Sequence, residues 1–115
     1  MRRMSFSRTT EAICNRTKTV TRRRMGTWDR LRRGDRLLAV ERTQGLKKGE
    51  KHNVLAEIRI VSVKAVAIDE PLDRAELDRE GCGHMAPEEF HALLRELFGG
   101  LAYYCKRIEF EYVDE

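Results

Sequence analysis

Long apolar runs are missing from this 115-residue chain, and nothing in it approaches the roughly 20 consecutive apolar residues that a membrane helix needs. Proline is scarce, at two residues, and there is no Pro-rich linker, low-complexity tract or internal repeat. Those absences argue for one domain over residues 1–115 rather than modules on a tether. The three cysteines are odd in number and far apart, so a disulfide framework is excluded and reduced thiols are expected. Metal-ligand spacing is lacking too. Cys82 and His84 form a C-x-H pair with His91 and Cys105 downstream, but no C-x2-C or H-x3-H pair accompanies them. We therefore expect no metal and no cofactor. The basic N-terminal stretch has no apolar segment of the secretory kind, which points to a cytoplasmic protein.

Acidic residues are also in short supply at one end. The first 36 positions hold 12 Arg or Lys against three Asp or Glu, a net of +9, whereas the remainder carries −5. The overall +4 thus conceals a basic segment on an acidic domain. Such asymmetry suggests a patch facing a polyanion, with nucleic acid the commonest partner. The alternative is a solvated face neutralised by the acidic rest of the fold.

What is present falls into short elements. "RRMSFS" reads as a first strand and "TTEAICNR" as a short helix with Thr9 or Thr10 at its N-cap. "TKTVTRRRMGTW" lacks helical periodicity and leads into a loop, and Gly34-Asp35 turns the chain into a strand from Leu37 to Glu41. "TQGLKKGEKH" reads as an exposed loop. In "NVLAEIRIVSVKAVAI" the apolar phase of Val54, Ala56, Ile58 and Ile60 switches to that of Val61, Val63 and Ala65, which predicts a bulge or bend. "LDRAELDREG" reads as a helix stopped by Gly81. "PEEFHALLRELFGG" is the strongest helix, with Phe90, Leu93, Leu94, Leu97 and Phe98 in a stripe expected to be core. "KRIEFEYVD" alternates as a closing strand, at whose start Tyr103 and Tyr104 are expected to pack. The resulting order, β-α-β-β-α-α-β, is an α+β arrangement.

The segment "NRTKTVTRRR" carries the chemistry. Lys18, Arg22, Arg23 and Arg24 suit phosphate contacts, and Trp28 either stacks on a base or closes the core. Lys47, Lys48 and Lys51 would extend that footprint. A lysine among alternating threonines also raises the question of a catalytic amine with a partner hydroxyl, and positions three apart would diverge in a regular strand.

The succession of "TKTVTRR", "LRRGDRLLAVE", a β-rich middle, the "REG…M-x-P-E-E-F" helix and the closing "RIEFEY" resembles the ASCH domain family, a branch of the PUA-like superfamily, across nearly the whole chain. The "GLKKGEK" stretch is most similar to its phage and prophage type. The resemblance implies a small, partly open β-barrel with flanking short helices and a cleft that receives the segment after the first helix. It implies RNA or a modified nucleoside as partner. One bacterial ASCH group is an amidohydrolase of N4-acetylcytidine that uses a K-T-x-T motif and a distant glutamate. Lys18 and Thr21 match that motif, and Glu80, before "GCGHM", is the nearest match for the glutamate. The leading expectation is an RNA- or nucleotide-binding ASCH domain with a basic cleft. Alternatives are an amidohydrolase acting through Lys18, Thr21 and Glu80, and a phage accessory module that binds another protein.

Overall fold

The long β-branched segment forms the centre of the sheet, because a strand flanked on both sides needs apolar and β-branched side chains at successive positions. The computed structural model describes residues 1–42 and 53–114. The stretch "TQGLKKGEKH", with Lys47, Lys48 and Lys51, lies outside the described residues. The elements are β1 (Arg3–Ser5), α1 (Thr10–Cys14), β2 (Val20–Arg24), β3 (Arg36–Val40), β4 (Val54–Ala67), α2 (Arg74–Arg79), α3 (Pro87–Phe98) and β5 (Tyr104–Tyr112). They build an α+β fold around one mixed sheet of order β1-β3-β4-β5-β2. β1 runs parallel to β3, and the other neighbours are antiparallel.

The phase switch in β4 is a register shift between Ile60 and Ser62 in its pairing with β5. One extra residue there re-aims the strand, so Ile58 and Ile60 enter one core cluster and Val66 enters another. The first cluster joins Met4, Phe6 and Ile13 to Leu37, Ile108 and Phe110. The second joins Leu77, Phe90 and Leu94 to Cys105 and Val66. Gly81, at φ +78°, ends α2, and Gly99, at φ +93°, ends α3, where the sequence places the stops.

Among the described residues the sheet is not closed into a barrel: β1 and β2 are its two edges. Two expectations are corrected. The segment given no element and expected to lead into a loop contains the strand β2, paired along its length with β5. Val20, Thr21 and Arg22 are all buried, so the alternation that marks a half-exposed strand is absent. Tyr103 and Tyr104 do not pack; they are 80% and 61% exposed.

Truncating Phe110, which contacts the rings of Phe6 and Tyr112 at 5.8 Å each, removes the middle of the first cluster. Phe110→Ala is expected to cost about 3–5 kcal/mol in urea unfolding, and the exposed Tyr104→Ala within about 0.5 kcal/mol.

Candidate functional site

The end of α1 determines where Lys18 sits. Arg16 adopts φ +58° just past the helix, the Arg16 N–H donates to Ile13 O at 3.0 Å and the Thr17 N–H to Ala12 O at 2.9 Å. This is a Schellman closure built with arginine in place of glycine. The chain then passes Lys18 and Thr19 before β2 begins at Val20. The backbone here is tied on several sides: the Thr19 N–H donates to Arg79 O at 2.8 Å, the Phe110 N–H to Thr19 O at 2.9 Å, and the Tyr112 hydroxyl to Lys18 O at 2.6 Å. Because Lys18 precedes the strand, the alternation that would separate it from Thr21 does not apply. Both side chains line one cavity of about 330 Å³.

Glu80 lines the same cavity from the C-terminal end of α2. The final carbonyls of a helix lack helical partners and carry its negative end, so an ammonium is well placed there. Lys18 Nζ donates a short hydrogen bond to Glu80 O and lies 3.2 Å from Glu80 Oε1. Both side chains are only 4% exposed. Gly81 permits this approach: at φ +78°, a Cβ on it would stand 3.0 Å from Ala12 Cβ and 3.6 Å from Lys18 Cβ. Burial holds the Lys18 ammonium below its usual 10.5, although Glu80 pulls in the other direction.

Arg22 is fully enclosed and meets three carboxylates. Its NH1 lies 2.7 Å from Glu80 Oε2, and its NH2 lies 2.5 Å from Glu70 Oε1 and 2.9 Å from Glu76 Oε2. Glu76 is shared with Arg107, whose Nε and NH2 donate to it at 2.7 and 3.0 Å. Burial alone would lower the Arg22 value, but Glu80 and the other two carboxylates outweigh it and hold the guanidinium charged. The hydrogen bond from Arg107 chiefly, with that from Arg22, brings the Glu76 carboxyl down to about 2 against the cost of burial.

Arg23 donates from Nε to Thr21 Oγ1 at 3.0 Å and from NH2 to Ser5 O at 2.7 Å, with its guanidinium 4.8 Å from the centre of the Phe6 ring. Burial brings it down to about 10, which leaves it charged at neutral pH. Arg24 is exposed and donates to Leu97 O at 2.9 Å. Trp28 is buried in the first core cluster with the Arg2 guanidinium 4.1 Å above its ring. The proposed binding set therefore divides: Lys18, Arg22, Arg23 and Arg24 share the cavity, but Arg22 is spent inside the protein and Trp28 closes the core.

Sequence reasoning missed two groups. The stripe of α3, read as core alone, also walls the cavity through Phe90, Leu93, Leu94, Leu97 and Phe98, because core and ligand-facing positions follow the same helical spacing. Glu70 and Glu76 were not singled out, since their partners lie on β2 and β5, far away in sequence. Among the described residues, no group of three His, Cys, Asp or Glu side chains is placed to hold a metal ion, and no helix is long and apolar enough to cross a membrane.

Removing one member of a buried ion network leaves the others uncompensated, so Arg22→Ala is expected to lose about 3–5 kcal/mol in urea unfolding. Glu76 supplies a pH signature. Its folded value lies below the ordinary 4.5, so its contribution is complete above that pH and is lost as pH falls from 4.5 towards about 2. Acid titration followed by circular dichroism should show that limb, and Glu76→Gln should flatten it.

No family model and no curated protein matches the sequence. Among solved structures, protein EF3133 from Enterococcus faecalis V583, described by the family model DUF984, superposes with TM-score 0.70 at 14% identity, over 94% of this chain and 68% of its own. The hypothetical protein PH0355 superposes with TM-score 0.68 at 17% identity, over 96% of this chain and 97% of its own. The chain is similar to both in fold.

Proposed function

We propose that the cavity hydrolyses the amide of an acylated exocyclic amine on a cytosine-type nucleoside, the activity that resemblance to the ASCH amidohydrolases implies. One observation carries the reading: Lys18, Thr21 and Glu80 line a single cavity, with the Lys18 amine 3.2 Å from the Glu80 carboxylate. Amide hydrolysis needs a nucleophile, a base for its proton and a donor for the leaving amine. Burial lowers the Lys18 value, which raises the share of neutral amine able to act as base.

In this reading Lys18 takes the Thr21 hydroxyl proton as Thr21 Oγ1 bonds to the acyl carbon and the carbonyl pair moves onto oxygen. The Arg23 Nε–H, 3.0 Å from Thr21 Oγ1, steadies the hydroxyl oxygen as it gains charge. Collapse breaks the C–N bond, and the Lys18 ammonium returns its proton to the departing amine. Water then cleaves the acyl ester, with Lys18 again taking and returning the proton. Glu80 aims the amine through its carbonyl and Oε1. The apolar side of the cavity, from Phe6 and α3, suits the flat face of a base and the acyl group.

A second reading, an RNA- or nucleotide-binding domain of the PUA-like kind, draws on the +9 excess in the first 36 residues. Its arginine grip is weakened by the enclosure of Arg22, which is why the hydrolase reading stands first.

Incubation with N4-acetylcytidine should release cytidine and acetate. Lys18→Ala and Thr21→Val should each lower kcat/KM by about 10²-fold or more, with Thr21→Ser retaining part of the activity. The rate should rise with pH as Lys18 loses its proton, with a midpoint below 10.5. Absence of cytidine release, or turnover undiminished in Lys18→Ala, contradicts the reading.

A further inference from the structure

The cations around the cavity are unevenly matched. At the enclosed end, Lys18 meets Glu80, and Arg22 meets Glu70, Glu76 and Glu80. Three more arginines line the cavity: Arg23, which donates to the neutral oxygens of Thr21 and Ser5, and Arg8 and Arg24, which are both exposed. Among the described residues neither has a carboxylate within ion-pair distance; Arg24 donates to the neutral carbonyl of Leu97, at 2.9 Å. Among the described residues Glu80 is the one carboxylate that lines the cavity, and it is buried and already engaged by Lys18 and Arg22. The mouth is therefore positive, with no carboxylate at hand for its two exposed guanidinium groups among the described residues. Ser7 and Thr9 belong to the same lining.

Amide hydrolysis on a neutral nucleoside makes no use of that mouth. A concave site lined by one sign of charge concentrates ligands of the other sign, and guanidinium forks fit phosphate oxygens. We propose that the substrate is phosphorylated: the cavity takes an acylated nucleoside whose sugar phosphate is held at the mouth by Arg8 and Arg24. This inference rests on the hydrolase reading for the acyl group but not for the phosphate. The base lies along the apolar wall of Phe6 and α3, the amide points inward to Lys18 and Thr21, and the phosphate stays at the solvent edge.

The test compares N4-acetylcytidine, its 5′-monophosphate and a short oligoribonucleotide containing the same acylated base. The monophosphate is expected to exceed the nucleoside in kcat/KM by about tenfold or more, from one or two charge-assisted contacts. Arg8→Ala and Arg24→Ala should each bring the monophosphate-to-nucleoside ratio towards one, and Arg8→Lys and Arg24→Lys should restore part of it. Preference for the oligoribonucleotide over the nucleoside, with the same arginine dependence, supports the phosphate contact and assigns it to RNA. A ratio near one, or a ratio indifferent to both alanine variants, overturns the inference while the hydrolase reading survives. If no acylated substrate is turned over, that reading fails and affinity decides the inference. Cytidine 5′-monophosphate binding more tightly than cytidine, with dependence on Arg8 and Arg24, supports it; equal or absent binding overturns it.

Discussion

Three carboxylates brought to one guanidinium are the constraint on which the rest of the structure depends. Glu70 precedes α2, Glu76 lies within it and Glu80 caps its end, and all three reach Arg22 on the edge strand β2. Without the cation these acids would repel one another, with Glu76 left to Arg107 and Glu80 left to Lys18. With it, α2 is fixed against the sheet. Arg107 on β5 grips Glu76 from the neighbouring strand, so the network spans the pairing that places β2 at all.

The arrangement at Lys18 follows from that constraint. Arg22 occupies Oε2 of Glu80 and leaves Oε1 and the main-chain carbonyl facing the lysine amine. Two effects then oppose each other at Nζ. Burial favours the neutral amine, the adjacent carboxylate favours the ammonium, and burial is the larger. Sharing Glu80 with Arg22 limits the second effect, because part of the carboxylate charge is already met by the guanidinium. A basic run that would make an ordinary phosphate grip on an open surface is thereby divided: Arg22 organises the interior, Arg23 supports Thr21, and Arg24 remains at the solvent edge.

The parts of the fold that were legible in sequence are those governed by local pattern. The shift of apolar phase after Ile60 marks the irregularity in β4, and Gly81 and Gly99 stop their helices where a left-handed residue is required. The hidden parts depend on distant partners. β2 shows three buried residues in succession and takes its strand conformation from β5, which no local period reveals. Glu70 and Glu76 have the composition of a solvated helix face until Arg22 and Arg107 are placed beside them. Lys18, Thr21 and Glu80 were marked by resemblance, and their shared cavity depends on the arginine-built Schellman turn at Arg16, a position where glycine would have been the expected signal. The stripe of α3 was legible as apolar, but periodicity does not separate a wall facing the core from one facing a cavity.

The central claim is that enclosure beside an already engaged glutamate leaves Lys18 a weaker base for protons than a free lysine. Titration of the Lys18 side chain by 13Cε or 15Nζ resonance, assigned through the Lys18→Arg variant, tests it directly. The account predicts a midpoint below 10.5, moving upward when a conservative change elsewhere opens the cavity to water. A midpoint at or above 10.5 would mean that the carboxylate outweighs burial, and would contradict it.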